Sequence, residues 1–239
     1  MHHETASWFS PHLGRDMTVQ VVGHAGARVL AFPTSMGSHA EWLDRRMHHV
    51  LGEDLEHGRI QLFCVDQPHH ENWGNTTVHP GHRAWTHLQY DRYLYEELLP
   101  FTAWKNPTRF VITTGASLGA YHAAWFGLRH PEAVQRVLGM SGMYDIKRMT
   151  GGYSDDIVYQ LNPMDFMQHE HEPARLDAFR RQDIILAIGR TDPMYDNNAE
   201  FSGILWRKGI GNALRVWDGW AHDWPYWEQM VRIYLPGHD

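Results

Sequence analysis

The chain is poor in cysteine, with a single one, Cys64, among 239 residues. One thiol excludes an intrachain disulfide and a thiolate metal site. It also fits a reducing compartment, so a cytoplasmic location is the expectation. Basic blocks are missing too: 21 Lys and Arg face 28 Asp and Glu, for a formal net charge of -7. That balance disfavours non-specific binding to nucleic acid or an anionic membrane. No run of about 18 apolar residues occurs, so no membrane span is expected. The first thirty residues lack the basic and apolar segments of a secretory leader. No repeat, low-complexity tract or Pro/Gly/Ser linker interrupts the chain. A hydrophobic share of 43% is enough to bury a core without staples. One domain over residues 1–239 is expected, with homo-oligomerisation left open.

Strand and helix patterns alternate, which predicts an α/β fold with a mostly parallel sheet covered on both faces. Residues 17–22 and 28–32 predict two strands around Gly23-His24-Ala25-Gly26, forming an antiparallel N-terminal edge. Ser38 and Glu41 spell a capping box for a helix over 40–55, with Leu43, Met47, Val50 and Leu51 on one face. A strand over 60–65 and a polar loop over 67–80 follow. A long helix over 83–101 comes next, its apolar stripe being Trp85, Leu88, Tyr95, Leu98 and Leu99. Further strands are expected at 109–114, 134–140, 183–188 and 214–217, and helices at 118–130 and about 197–208. Pro225 suits the first position of a final helix, with Trp227, Met230, Val231 and Tyr234 as its face. Residues 142–181 read as an irregular insertion over the sheet.

This layout gives the chemistry an address. The apolar strand Phe110-Val111-Ile112-Thr113-Thr114 runs into Gly115-Ala116-Ser117-Leu118-Gly119, and an apolar helix begins at once. G-x-S-x-G between strand and helix is a nucleophile elbow. The turn is strained, small residues on either side let strand and helix approach, and the hydroxyl stands at a helix N-terminus. Serine needs a base to take its proton, and the base needs an orienting group. In this arrangement the chain order is serine, acid, histidine. Asp192, after the strand at 183–188, and His222, after the strand at 214–217, satisfy it. Both follow the carboxyl ends of strands, where sites in α/β sheets collect. Asp196 competes with Asp192 for the acid role. Asp223 is too close to His222 in the chain to orient its ring, and His238 lies beyond the final helix.

A tetrahedral oxyanion needs donors. The backbone N–H of Leu118 is one. The other is expected from the loop Pro33-Thr34-Ser35-Met36-Gly37-Ser38, from Met36 first and Ser35 second.

With these residues in place, the chain resembles the putative-esterase family of α/β-hydrolases, which includes S-formylglutathione hydrolases, feruloyl esterases and mycolyltransferases. The matching segments are Gly115 to Gly119, Arg129-His130-Pro131, Ser141-Gly142, Gly189 to Asp192 and Gly219 to Trp224. The resemblance covers about residues 28–235. It implies the α/β-hydrolase fold, a Ser117–Asp192–His222 triad, no cofactor or metal, and Met36 at the second oxyanion position. Thr34-Ser35 stands where the family often carries His-Gly, and Ala120 where it often carries Gly.

Other clusters carry less. His169-Glu170-His171-Glu172 lacks the spacing that places two ligands on one helix face, and reads as a solvated helix end. Glu71 and Trp73, after a strand end, and Tyr153 and Trp224, in aromatic segments, are candidate pocket residues for a small-molecule ester. The expected reaction is ester hydrolysis through an acyl-enzyme on Ser117. An acyltransferase using an alcohol or sugar acceptor shares the same triad, as does hydrolysis of a thioester or peptide. A non-catalytic binding module retaining the fold is the reading from another class.

Overall fold

In the computed structural model, residues 2–236 are described. Eight strands form one sheet: β1 (His3–Ser10), β2 (Arg15–Val22), β3 (Ala27–Phe32), β4 (Ile60–Val65), β5 (Val111–Ala116), β6 (Arg136–Met140), β7 (Asp183–Gly189) and β8 (Ala213–Trp217). Their spatial order is β1-β2-β4-β3-β5-β6-β7-β8. β1 pairs antiparallel with β2, and β2 with β4. Every other pairing is parallel. Alternation sends Val111 and Val137 to one face and Ile112 and Leu138 to the other, so two buried cores sandwich the sheet. The expected α/β-hydrolase architecture is present.

The antiparallel edge is built differently from the expectation. β2 and β3 do not pair, because β4 lies between them. The hairpin partner of β2 is β1, and they join through a turn in which Gly14 takes φ +65°. β1 escapes a sequence reading because neither of its faces is fully buried: its residues alternate between exposed and half-buried until Ser10.

The segment over 40–55 is three short helices, α1 (Glu41–Asp44), α2 (Met47–Val50) and α3 (Gly52–Glu56), broken where Arg46 takes φ +58°. The capping box does not form. Glu41 turns back to accept from the backbone N–H of Thr34 at 2.7 Å and its hydroxyl at 2.6 Å. A Cβ at Gly37 would sit 2.6 Å from that carboxylate, so glycine keeps this loop closed.

The long helix runs as α4 (Pro80–Arg92), a π-helical stretch over Tyr93–Leu98, and α5 (Leu99–Lys105). Pro100 cannot donate to the preceding turn, which explains the widened stretch before it. The expected apolar stripe is displaced: Trp85 and Tyr95 are exposed, and the buried face of α4 includes Arg83, His87 and Asp91. Each of these residues makes at least one hydrogen bond, although Arg83 Nε and His87 Nε2 have no partner. Arg83 donates to the carbonyl of Met149, Asn72 donates to His87 Nδ1, and Asp91 receives Arg129 and His130. Buried polar groups persist when paired in this way.

α6 (Leu118–Arg129) leaves β5. Residues 142–181 are more ordered than expected, forming α7 (Lys147–Thr150), α8 (Asp156–Leu161), α9 (Pro163–His169) and α10 (Pro173–Arg180). Glu172 caps α10, accepting from Ala174 and Arg175 N–H, and Glu170 holds Arg175 at 2.8 Å. That accounts for the acidic members of the His169–Glu172 cluster. α11 (Tyr195–Arg207) and α12 (Trp224–Tyr234) complete the chain, with Pro225 second in α12 and Asp223 as its cap. Among the described residues, no helix is long and apolar enough to cross a membrane.

Candidate active site

The elbow is set by two close approaches. A Cβ on Gly115 would overlap the backbone of Gly119, and one on Gly119 would lie 2.5 Å from the carbonyl oxygen of Phe32. Only glycine at both positions lets α6 start against the ends of β5 and β3. Between them Ser117 is held at φ +55°, ψ -118°, a conformation that costs a non-glycine residue about 1–3 kcal/mol and persists where the surroundings over-determine it. Its N–H donates to the Met140 carbonyl at 2.8 Å.

The acid and histidine loops are zipped together by backbone. Arg190 N–H donates to Trp217 O and Thr191 N–H to Gly219 O. A Cβ at Gly189 would overlap the Trp220 carbonyl, so glycine there permits the approach. This delivers Asp192 Oδ2 to 2.6 Å from His222 Nδ1. The Asp192 side chain is fully buried, and its other oxygen accepts the Met194 N–H at 2.8 Å. A carboxylate only accepts, so Nδ1 carries the proton and Nε2 keeps its lone pair. Asp196 is exposed at the start of α11, and Asp223 spends its carboxylate on the Trp224 N–H. His238 lies outside the described residues.

The imidazole is braced on both sides. Trp220 stacks on it at 5.6 Å and Trp227 meets it edge-on at 5.5 Å. Ser141, buried at the end of β6 with φ +52°, connects this brace to the sheet. Its hydroxyl donates to the carbonyl of Ala221 and accepts from Trp227 Nε1, both at 3.0 Å. One hydroxyl thus fixes the residue before His222 and the indole against its ring. Ser141 was visible in the sequence as part of a family-like Ser-Gly pair, but a positioning role has no pattern to announce it. Replacing Ser141 with alanine is expected to lower kcat about tenfold or more with little change in KM, since small misplacements of a reacting group are costly. Steady-state kinetics on p-nitrophenyl acetate would test this.

A cavity of about 380 Å³ has Ser117, Leu118, Ser35 and His222 on its wall. Its remaining wall is largely apolar: Tyr121, Met143, Met149 and Met194, with Ser141 and Arg148 also on it. The Tyr121 hydroxyl donates to Leu161 O at 3.0 Å, and burial pushes it well above the usual phenol range, so it stays neutral. Ser35, the second choice for an oxyanion donor, is on this wall. Met36 takes φ +63°, its side chain is 72% exposed, and it lines a neighbouring surface cleft with Glu41 and Arg45.

None of the four expected pocket residues reaches the cavity. Glu71 is exposed and pairs with Arg15 at 2.8 Å. Trp73 is buried behind the wall, against His87 and Tyr121. Tyr153 packs edge-on against His79 and donates to Asp155. Trp224 lies under Arg45 and against Trp227. The wall comes instead from Met143, Arg148 and Met149 in the 142–181 segment, and from Met194 beside the acid.

Residues 65–233 match the model of the family described as Putative esterase. The chain belongs to this family. It is an ester-hydrolysing enzyme, a serine hydrolase. The esterase chain also superposes on solved structures of low identity, which show the same fold. A ferulic acid esterase matches with a TM-score of 0.79 and 20% identity over 98% of this chain and 96% of the other. An S-formylglutathione hydrolase from Agrobacterium tumefaciens matches at 0.76 and 14%, over 98% and 92%. A fluorophosphonate-binding serine hydrolase of Staphylococcus aureus matches at 0.68 and 14%, over 100% and 99%. No curated protein matches this esterase by sequence.

Proposed function

We propose that the enzyme hydrolyses carboxylic esters through an acyl-enzyme on Ser117, with His222 as general base and Asp192 orienting it. The observation that carries this reading is the 2.6 Å contact between the buried Asp192 carboxylate and His222 Nδ1, together with His222 and Ser117 on one cavity. His222 Nε2 takes the hydroxyl proton as Ser117 attacks the ester carbonyl. The Leu118 N–H at the start of α6 and an N–H from the Thr34–Gly37 turn, at Ser35 or Met36, stabilise the oxyanion. The ester C–O bond breaks, and the alcohol leaves with the proton from His222. Water then attacks the acyl-enzyme with the same base, and Ser117 recovers its proton.

The test is a fluorophosphonate probe with peptide mapping. The parent is expected to be labelled at Ser117, and Ser117→Ala is expected to be unlabelled and to lose about 10⁴-fold or more in turnover of p-nitrophenyl acetate. Labelling elsewhere, or an alanine variant as active as the parent, would overturn the assignment.

A further inference from the structure

Of the residues on the cavity wall, Arg148 alone carries a permanent charge. Its neighbour in the same short helix shows what a cation in this segment ordinarily does. Lys147 is neutralised by Asp165 at 2.7 Å and Asp145 at 3.8 Å. Arg15, Arg59, Arg129, Arg136 and Arg175 elsewhere in the chain also pair with carboxylates. Arg148, by contrast, makes no hydrogen bond or ion pair among the described residues. Its backbone is held nonetheless. The buried Arg83 donates to the Met149 carbonyl at 2.9 Å, the Thr150 hydroxyl donates to the Lys147 carbonyl, and Gly151 closes the helix in the left-handed conformation. Among the described residues no carboxylate lines the cavity, and Asp192, behind His222, is committed to His222 and Met194. Arg148, an exposed residue, therefore brings the one fixed charge to a cavity of a small-molecule size whose wall away from Ser35, Ser117, Ser141 and His222 is apolar, in a chain whose net charge is -7.

A free guanidinium is built to grip a carboxylate in a two-pronged contact. We propose that the preferred substrates are esters carrying a carboxylate, bound by Arg148 while the methionine wall takes the intervening carbon chain. This specificity rests on the esterase reading above.

The carboxylate can sit on either side of the scissile bond, and two ester pairs separate the cases. 4-Nitrophenyl hemiglutarate against 4-nitrophenyl hexanoate places the charge in the acyl part. 4-Carboxyphenyl acetate against phenyl acetate places it in the alcohol. In at least one pair, Arg148→Gln is expected to lower the anionic-to-neutral ratio of kcat/KM about tenfold or more, the scale of one charge-assisted hydrogen bond. Arg148→Lys retains part of the ratio, and Arg148→Glu lowers it further. In the parent, added salt is expected to depress turnover of the anionic ester selectively, a readout that needs no variant to fold. Ratios in both pairs that ignore residue 148, or parent rates on anionic esters that ignore salt, overturn the proposal. If neutral esters turn over while the ratios stay fixed, only this specificity falls. If the parent turns over no ester and Ser117 is not labelled, the esterase reading falls and the specificity with it.

Discussion

Replacing Asp192 with asparagine is expected to lower kcat by about three to four orders of magnitude while KM moves little, as loss of the orienting acid does in a serine–histidine–acid site. The amide fills the same fully buried space, so the loops should keep their course. What changes is the proton. The carboxylate at 2.6 Å compels Nδ1 to donate, whereas an amide can present its N–H₂ and turn Nδ1 into an acceptor. The ring proton then moves to Nε2, and the base loses the lone pair it needs for the Ser117 hydroxyl. The other duty of Asp192, accepting from Met194 N–H, survives because the amide oxygen can take it. The matching control is Asp196→Asn. That residue is exposed at the start of α11, and its substitution is expected to leave kcat within about twofold. A single-turnover assay on p-nitrophenyl acetate would show whether acylation itself is the slowed step. A near-parental rate in Asp192→Asn would remove the acid from the mechanism.

The second large effect is on stability in mild acid. Between α4 and α6, His87 and His122 stack at 5.2 Å within an aromatic cluster that includes Phe32, Tyr90, Tyr121 and Trp125. Both rings are fully buried. Burial pushes His122 down to about 3, with His69 adding a smaller effect of the same sign. His87 is driven well below the ordinary histidine range, first by burial and then by His122 and Arg129. Neither nitrogen of His122 has a hydrogen-bond partner, so a protonated ring would bury unpaired N–H groups as well as charge. In the unfolded chain both histidines take up protons as pH falls through about 6.5. The unfolded state then binds more protons than the folded one, and stability is lost on the way down. Two such groups give a slope of up to about 2.7 kcal/mol per pH unit below about 6.5, and the contribution of His122 persists toward about 3.

His48 and His69 are also lowered chiefly by burial and add to the same window. The lowered carboxylates Glu4, Glu53 and Glu170 begin to cost stability only as pH falls into the ordinary carboxylate range, so the interval between about pH 5 and 6.5 reports chiefly on histidine. Urea midpoints measured across it are expected to fall steeply in the parent and more gently in His87→Phe with His122→Phe. Equal slopes in the two proteins would contradict the account.

Much of the candidate site was legible because the proposed chemistry calls for particular residue types at fixed places. The elbow demands glycine at 115 and 119 for contacts that no side chain permits. A turn after β7 and a turn after β8 are where an acid and a base must arrive. The fold class followed from the alternation of strand and helix segments along the chain, in which the buried strands read as short, mostly apolar runs, β4 among them. Three features were not legible. β1 has no buried face to give it a period. α4 buries Arg83, His87 and Asp91 because partners arrive from Met149, Asn72 and Arg129, and a hydropathy stripe cannot foresee them. The cavity wall comes from residues 142–181, where aromatic residues drew the eye to Tyr153. Of the residues that reach the cavity, Arg148 and Met149 lie within a helix of four residues and Met143 precedes it, and the placement of that helix depends on the buried Arg83. The cavity wall thus depends on long-range packing, while the candidate reactive residues were marked by local geometry.

The methionines of the cavity have a further consequence, one of redox chemistry. Cys64, the only thiol, is buried, and desolvation raises its pKa, so it holds little of the thiolate that oxidants attack. Met143, Met149 and Met194 are only partly buried and line the cavity. Peroxide converts such thioethers to polar sulfoxides that reductases can restore, and it leaves a serine hydroxyl untouched. Oxidative damage is therefore expected to fall on the wall of the cavity, with the Ser117 hydroxyl spared.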